Sequence, residues 1–488
     1  MITTETTGVT TSTSGPRLVQ LKDICERITK GSTPTSYGFK YTREGIRFIK
    51  AENIDKNGLA STTTDYIDEA TNKFLTRSIL QEQDILFSIA GTIGRVGIIR
   101  RADLPANTNQ ALAIVRLQPG IIEQRYLFYY LNSDAIQKDA LKRIVGVGRA
   151  NLSLTNIGEF TIPLISLDKQ KQIVAEIEKQ FSRLDEAVAD LKRVKANLKR
   201  YKASVLKAAV EGKLTEDWRE QHPDVESASK LLERILAERR TKWNGKGKYK
   251  EPTPPDTYDL PSLPKGWTWA RLEQVGVTFG GLTKNPKRAK LIKKLPYLRV
   301  ANVYANELRL DEIEHIGVQD AELDKLLLRK GDLLVVEGNG SKDQIGRLAI
   351  WDGSIDPCVH QNHLIKVRLV VGLMNKWILF WLMSPVGRHF IEEVSSSTSG
   401  LYTLSVNKVG DLPIIVPPLA EQEQIIAEVE RRLSVIEELE AAIQANLTRA
   451  DRLRQSILAT AFAGKLVKVN PAKMMRGSTD IQMPRSLQ

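Results

Sequence analysis

Three stretches of this 488-residue chain hold side chains of the kinds that do chemistry, and each falls short of a working site. Residues 338–347, GNGSKDQIGR, have the glycines of a phosphate-cradling loop. Such a loop must end in Gly-Lys-Ser/Thr so that backbone amides hold the phosphates and the Lys meets them, whereas this one ends in Arg and reads as a flexible basic loop. Pro223, Asp224, Glu226 and Lys230 are of the types found in nuclease sites. Metal-dependent cleavage needs carboxylates converging on one ion from ordered strands, but these residues open a polar helix, where acidic groups are ordinary. Cys358, His360 and His363 form the one possible metal cluster, without a fourth ligand and without counterparts near Asn109. A polar loop or a satisfied buried histidine accounts for them better. The chain also lacks a glycine-rich strand-to-helix turn for a methyl donor or dinucleotide, and an Asn-Pro-Pro-Tyr/Phe loop of the kind that amino-methyltransferases use. No catalytic residue, metal or cofactor is expected in this chain.

Charge points to a partner. There are 71 Lys and Arg against 58 Asp and Glu, a formal charge of +13, the footprint of a protein that meets a polyanion. The two cysteines, Cys25 and Cys358, cannot build a disulfide framework and fit a reducing cytosol. The first residues lack a signal sequence, and the longest apolar runs, at 378–383 and 412–420, are far shorter than the roughly 20 residues that cross a bilayer. A cytoplasmic protein without a membrane partner is expected.

The elements that must position any site appear twice. LSLTNIGEFTIPLISLDKQKQIVAEIE at 152–178 aligns without a gap to LSVNKVGDLPIIVPPLAEQEQIIAEVE at 404–430, and the same shift of 252 pairs SVLKAAVEGKL at 204–214 with SILATAFAGKL at 456–466. Upstream, IRFIKAENI matches LPYLRVANV, QDILFS matches GDLLVV, and NQALAIVRL matches QNHLIKVRL. Short β-rich runs bounded by Gly, Asn, Pro and Asp predict strands and turns, and amphipathic stretches at 122–143 and 374–394 predict helices. Each half is therefore a mixed α/β block followed by one long helix.

Those helices carry a narrow apolar stripe, with Ile173, Ile177, Leu184, Leu191 and Leu198 in the first half and Ile425, Val429, Ile436, Ile443 and Leu453 in the second. Such a seam is buried most economically against its twin as a coiled coil. The order domain, helix, domain, helix favours an antiparallel pair around a pseudo-two-fold axis. Gly212 and Gly464 stand where C-terminal caps are needed. The expected class is α+β: two pseudo-symmetric α/β domains separated by two long antiparallel coiled-coil helices. The expected boundaries are a tail at 1–16, a domain at 17–165, a spacer helix at 166–215, a helical segment and linker at 216–262, a second domain at 263–418, a second spacer helix at 419–470 and a tail at 471–488.

This pattern resembles the specificity (S, HsdS) subunit of type I restriction–modification systems, from about residue 17 to the end. The resemblance is carried by the paired PLISLDKQKQIVAEIE and VPPLAEQEQIIAEVE, the paired VLKAAVEGKLTEDWRE and ILATAFAGKLV, and LPKGWTWARLEQV at the head of the second half. The first half departs from it by opening on PRLVQLKDI without the Pro-x-Gly-Trp entry. The resemblance implies that each block is a target recognition domain for one half of a bipartite double-stranded DNA site. It further implies partners: two modification (M) subunits that bind S-adenosylmethionine and methylate adenine, and restriction (R) subunits that use ATP and magnesium. The chain itself would then be non-catalytic. An autonomous DNA-binding regulator would share the charge and the coiled coil, and differs in binding tightly without partner subunits.

Bases are read at their edges by Arg, Lys, Asn and Gln, while phosphate contacts fix register. Candidate DNA-binding residues on loops of the first domain are Lys30, Ser32, Tyr37, Lys40, Arg43, Thr92, Arg95, Asn109, Gln110, Arg149 and Asn151. In the second they are Lys284, Lys287, Arg288, Lys290, Asn339, Ser341, Lys342, Gln344, Arg347, Gln361, Asn362 and Tyr402.

Overall fold

A computed structural model describes residues 16–55, 58–60, 65–144, 151–243, 247–398 and 400–467. The chain divides into two compact units, residues 1–192 with 444–488, and residues 193–443.

The first unit is organised by a four-stranded antiparallel sheet in the order Cys25–Lys30, Leu112–Leu117, Ile85–Ser88, Val96–Ile98. Its central strands are nearly continuous apolar runs because both faces are covered. Ile85, Phe87, Ala113 and Val115 face a cluster with Tyr126, Leu127, Leu131 and Ile136, while Leu86, Leu112 and Ile114 face Ile49, Ile54, Leu80 and Ile99. The alternation along each strand is the period of two that a pleated backbone imposes. A smaller sheet orders Tyr66–Ile67, Ile46–Ile49 and Ala106–Thr108, the last two parallel. The opening PRLVQ forms a strand, Arg17–Gln20, paired with Thr161–Leu164.

The second unit repeats this plan. Its sheet runs Gly276–Phe279, Leu364–Leu369, Leu333–Val336, Leu348–Ile350, and Thr268–Arg271 pairs with Pro413–Val416. It adds the helices Glu216–Gln221 and Ala228–Thr241, and a three-stranded sheet of Gly338–Asn339, Leu401–Thr403 and Ser396–Thr398.

Each amphipathic stretch expected as one helix is two: Gln124–Leu131 with Asp134–Lys142, and Asn375–Met383 with Pro385–Val394. In the second pair Ser384 ends one helix and caps the next, its hydroxyl accepting from the Gly387 amide at 3.1 Å with Pro385 at the first helical position.

Buried polar contacts recur at matching places. Arg116 makes a two-pronged ion pair with Asp84 at 2.8 and 2.7 Å, and Arg368 does the same with Asp332 at 2.7 and 2.6 Å. The Tyr126 hydroxyl donates to the Pro163 carbonyl at 2.8 Å, and the Trp377 indole donates to the Ile415 carbonyl at 2.7 Å. Both tie a helix to the strand that leads into a long helix.

The long helices are Leu167–Val210 and Leu419–Phe462, 44 residues each, and Gly212 and Gly464 follow them with φ of 71° and 72°, the left-handed turn that ends a helix and that glycine adopts without strain. Within the first unit Ile173, Val174, Ile177 and Phe181 pack with Ile457, Leu458 and Ala461. Within the second, Val205, Leu206, Ala209 and Val210 pack with Ile425, Val429, Leu433 and Ile436. The start of one helix thus meets the end of the other, and the pair is antiparallel.

Among the expected seam residues Ile173, Ile177, Ile425, Val429, Ile436 and Ile443 are buried, while Leu184, Leu191 and Leu198 are half-buried. Leu453 is a correction: it is 47% exposed. The inward row of its helix runs through Ile436, Ile443, Ala450, Arg454, Ile457 and Ala461, in two steps of seven and then steps of four, three and four residues, and Leu453 is one residue out of phase, about 100° around the helix. Arg454 takes the core place instead, its guanidinium 4.4 Å from the Phe181 ring centre and paired with Asp185.

Candidate nucleic-acid interface

Strand direction gathers most of the candidate residues at one end of each four-stranded sheet. In the first unit, Cys25–Lys30 and Ile85–Ser88 both run against Leu112–Leu117, so that Lys30 and Ser88 finish beside Ala113 and Leu112. The loops after Lys30 and Ser88 and the turn before Leu112 therefore leave from the same end, carrying Lys30, Ser32, Tyr37, Thr92, Asn109 and Gln110. They are tied together: the Ser32 amide donates to the Thr108 carbonyl at 3.2 Å, Thr33 hydrogen-bonds Gln110, and the Ile89 amide donates to the Ala111 carbonyl at 2.8 Å. Asn151 joins them through a bridge to Ala90. Lys40 is exposed in the continuation of the first loop. Arg43 precedes the strand Ile46–Ile49 at the end opposite Thr108, and so stands apart from this group. Arg149 lies outside the described residues.

The second unit repeats the arrangement, with Phe279 beside Lys366 and Val336 beside Leu364. Lys284, Asn339, Ser341, Lys342, Gln344, Gln361 and Asn362 leave from that end, and Tyr402 joins by pairing with Asn339. Lys287 and Arg288 lie on the short helix Pro286–Ala289, and Lys290 follows it. In both units the loop enters past a glycine that no other residue could replace without a shift. A Cβ on Gly31 would strike the Thr108 and Asn109 carbonyls, and one on Gly281 the His360 and Gln361 carbonyls.

Three of the arginines named from sequence are committed to the protein. Arg95 donates to the Ala51 and Ile54 carbonyls at 3.2 and 2.9 Å, and Arg347 donates to the Val303 and Val300 carbonyls at 2.8 and 3.0 Å. A planar fork of donors suits such bracing of a loop, and it removes both side chains from direct base reading. Arg288 is held by Glu322 at 2.6 and 2.8 Å and by the Gly317 carbonyl. Asn109, Gln361 and Asn339 each accept a backbone amide, which fixes the shape of their turns. Lys284 with Glu314 and Lys342 with Glu392 are exposed pairs, weak enough in water to be exchanged for phosphate.

The structure also brings in residues that sequence reasoning missed. Arg77 donates to the Ser32 hydroxyl at 3.3 Å, and Phe74 sits against Tyr37 and Phe39. Both come from a separate helical segment roughly forty positions on, and no spacing rule links them to the loop.

Beneath the second unit's end Lys366 is buried, its ammonium donating to the Lys325 and Leu327 carbonyls. Burial holds its pKa down at about 8. Beside it His360 is fully buried with both ring nitrogens unpaired, and burial together with the charges of Lys366 and Arg368 pushes its pKa to about 3. His360 is neutral at neutral pH. Its sequence neighbour His363 is exposed and contacts Glu337 at 3.1 Å. Burial raises the Cys358 thiol to about 12, and among the described residues no group of three His, Cys, Asp or Glu side chains is placed to hold a metal ion.

Residues 16–196 match the family model of the type I restriction modification DNA specificity domain. The chain is 26% identical over 429 residues to the type I restriction enzyme EcoKI specificity subunit of Escherichia coli strain K12, covering 86% of this chain and 82% of that one. It is 25% identical over 424 residues to the StySPI specificity subunit of Salmonella potsdam, with the same two coverages. In fold it is similar to a solved chain from work on complex assembly and conformational transition of the type I R-M system, with a TM-score of 0.60 at 19% identity over 92% of this chain and 98% of that chain. The family model ends within the first long helix, and the internal repeat carries the same plan through the second half, so that the chain is similar over both halves to the DNA-specificity subunits of type I restriction–modification systems.

Proposed function

We propose that each unit reads one half of a bipartite double-stranded DNA target, residues 17–165 one block and residues 263–418 the other. The observation that carries this is the duplicated sheet end, where matching loops present polar and basic side chains on a braced scaffold. The chain is non-catalytic: it lends sequence specificity to two modification subunits and to restriction subunits, which bring S-adenosylmethionine, ATP and magnesium. The long helices serve as docking surface and as the ruler for the unread base pairs between the blocks. Two free, buried cysteines suit the reducing cytoplasm, and no described helix is long and apolar enough to cross a membrane.

The test is methylation. The purified chain with S-adenosylmethionine should transfer no methyl group to DNA, and adding the cognate modification subunit should give adenine methylation at a motif of two separated blocks. Exchanging 17–165 for the same region of another such subunit should change one block and leave the other. Methyl transfer by the chain alone, or a single uninterrupted motif, would overturn the reading.

A further inference from the structure

Tyr37, Phe39 and Phe74 form a cluster of rings at the surface of the first unit, with ring centres 5.2 Å apart for Tyr37 and Phe74 and 5.1 Å apart for Phe39 and Phe74. Scattered exposed apolar residues are ordinary in soluble proteins, but a contiguous apolar patch marks a contact surface. Here Tyr37 is 53% and Phe74 55% exposed although each packs against an aromatic neighbour. The rings hold one another in place and leave much of their surface to water.

The position of the cluster says what covers it. Tyr37 ends the turn Pro34–Tyr37, which continues directly from Ser32 and Thr33 at the end of the sheet. Phe74 ends the helix Glu69–Phe74, and Arg77 just beyond it donates to the Ser32 hydroxyl. The rings are thus continuous with the loops that carry the candidate base-edge contacts. Lysines lie close by in the chain: Lys30 and Lys40 come before and after the turn, and Lys73 precedes Phe74, loosely paired with Glu69 at 3.8 Å with both side chains exposed. An apolar tip accompanied by lysines matches the DNA-kinking proteins that push a side chain between base steps while neutralising the phosphates on either side.

We propose that Tyr37 and Phe74 form an aromatic wedge that stacks on an opened base step within the half-site read by the first unit. That half-site is then selected partly by how readily its step unstacks, a property that favours flexible pyrimidine–purine steps. This rests on the DNA-reading function proposed above and adds a mode of recognition that hydrogen bonds to base edges do not supply.

The experiment uses the full chain assembled with its modification subunit, and duplexes containing the methylated motif. 2-Aminopurine is placed in turn at each position of the first half-site except the methylated adenine. Wild type should raise its fluorescence at one step. The double variant Tyr37→Ala, Phe74→Ala should lose that signal and bind the duplex about tenfold or more weakly, the scale of one lost base–aromatic stack. Tyr37→Phe should keep both, because the ring rather than the hydroxyl does the stacking. An unchanged affinity in the double variant, or a tight wild-type complex with no brightened step, would overturn the wedge while leaving DNA reading intact. A double variant that keeps its thermal stability but no longer copurifies with the modification subunit would assign the rings to a protein interface and also overturn it. If the wild-type complex methylates no bipartite motif, the DNA reading fails and the wedge falls with it.

Discussion

At the end of its four-stranded sheet the first unit presents the rings of Tyr37, Phe39 and Phe74, whereas the second presents the basic helix Pro286–Ala289 and the paired strands Ser396–Thr398 and Leu401–Thr403. Beneath these loops the two units agree closely. Arg95 and Arg347 brace matching turns, Asp84–Arg116 and Asp332–Arg368 lie in matching places, and Tyr126 and Trp377 donate to matching carbonyls although one is a phenol and the other an indole. The scaffold was kept where a buried polar group demands its partner, and it diverged where side chains face solvent. That is the division expected if, as proposed above, the two halves hold different DNA sequences in the same way.

The largest effect should come from breaking the shared ion pair. Asp332→Ala would remove a buried carboxylate and leave the half-buried Arg368 charged without its partner, and Asp84→Ala would do the same to Arg116, at a cost of about 3–5 kcal/mol each. Urea unfolding of each variant should show a similar loss. A loss confined to one of them would show that the two units do not depend on the pair alike.

The helix pair gives the next comparison. Ile457→Ala in the first unit and Ile425→Ala in the second should each cost about 2–5 kcal/mol, because each empties a buried place. Leu453→Ala, with its side chain about half in water, should cost far less, about 0.5 kcal/mol. Equal losses for Leu453 and Ile457, measured by chemical denaturation, would contradict the phase of the seam.

At the loop-bearing ends of the two sheets, Gly31→Ala and Gly281→Ala should each push apart two backbone segments that now touch. We expect each to weaken binding of the cognate duplex about tenfold while assembly with the modification subunit survives, as read by filter binding and gel filtration. A full-affinity Gly281→Ala beside an impaired Gly31→Ala would mean that only the first unit needs its loop held tightly.

The smallest effect separates the units by pH. Lys366 occupies the place that Ile114 holds in the first unit. Its pKa is lowered from 10.5 to about 8, by burial first and then by Arg368, with Asp332 acting in the opposite sense. Between those two values the unfolded chain binds more protons than the folded one, so this group makes the second unit more stable as pH rises from about 8 toward 10.5. Lys366→Ile should remove that rise, and thermal melts of both proteins across this range would show it. An identical pH profile in the variant would mean that Lys366 is neutral in neither state within the range.

By itself the sequence determined the duplication, the presence of the two long helices and their capping glycines, because a constant shift and a 3.5-residue apolar period are local properties of the chain. Even the opening PRLVQ, which lacks the entry motif of its counterpart, pairs as a strand with Thr161–Leu164. Other matters were decided only when the chain folded. Arg95, Arg288 and Arg347 look like base readers in a polar loop, and become braces because carbonyls or a carboxylate from distant segments lie within reach of their guanidinium groups. Leu453 looks like part of the seam, and its exposure follows from a helical phase that also places Arg454 over Phe181. Phe74 and Arg77 carry no signal in their own neighbourhood; they meet Tyr37 and Ser32 because the strands between them return the chain to the same end of the sheet, and a contact between remote segments leaves no period in the sequence for a reader to find.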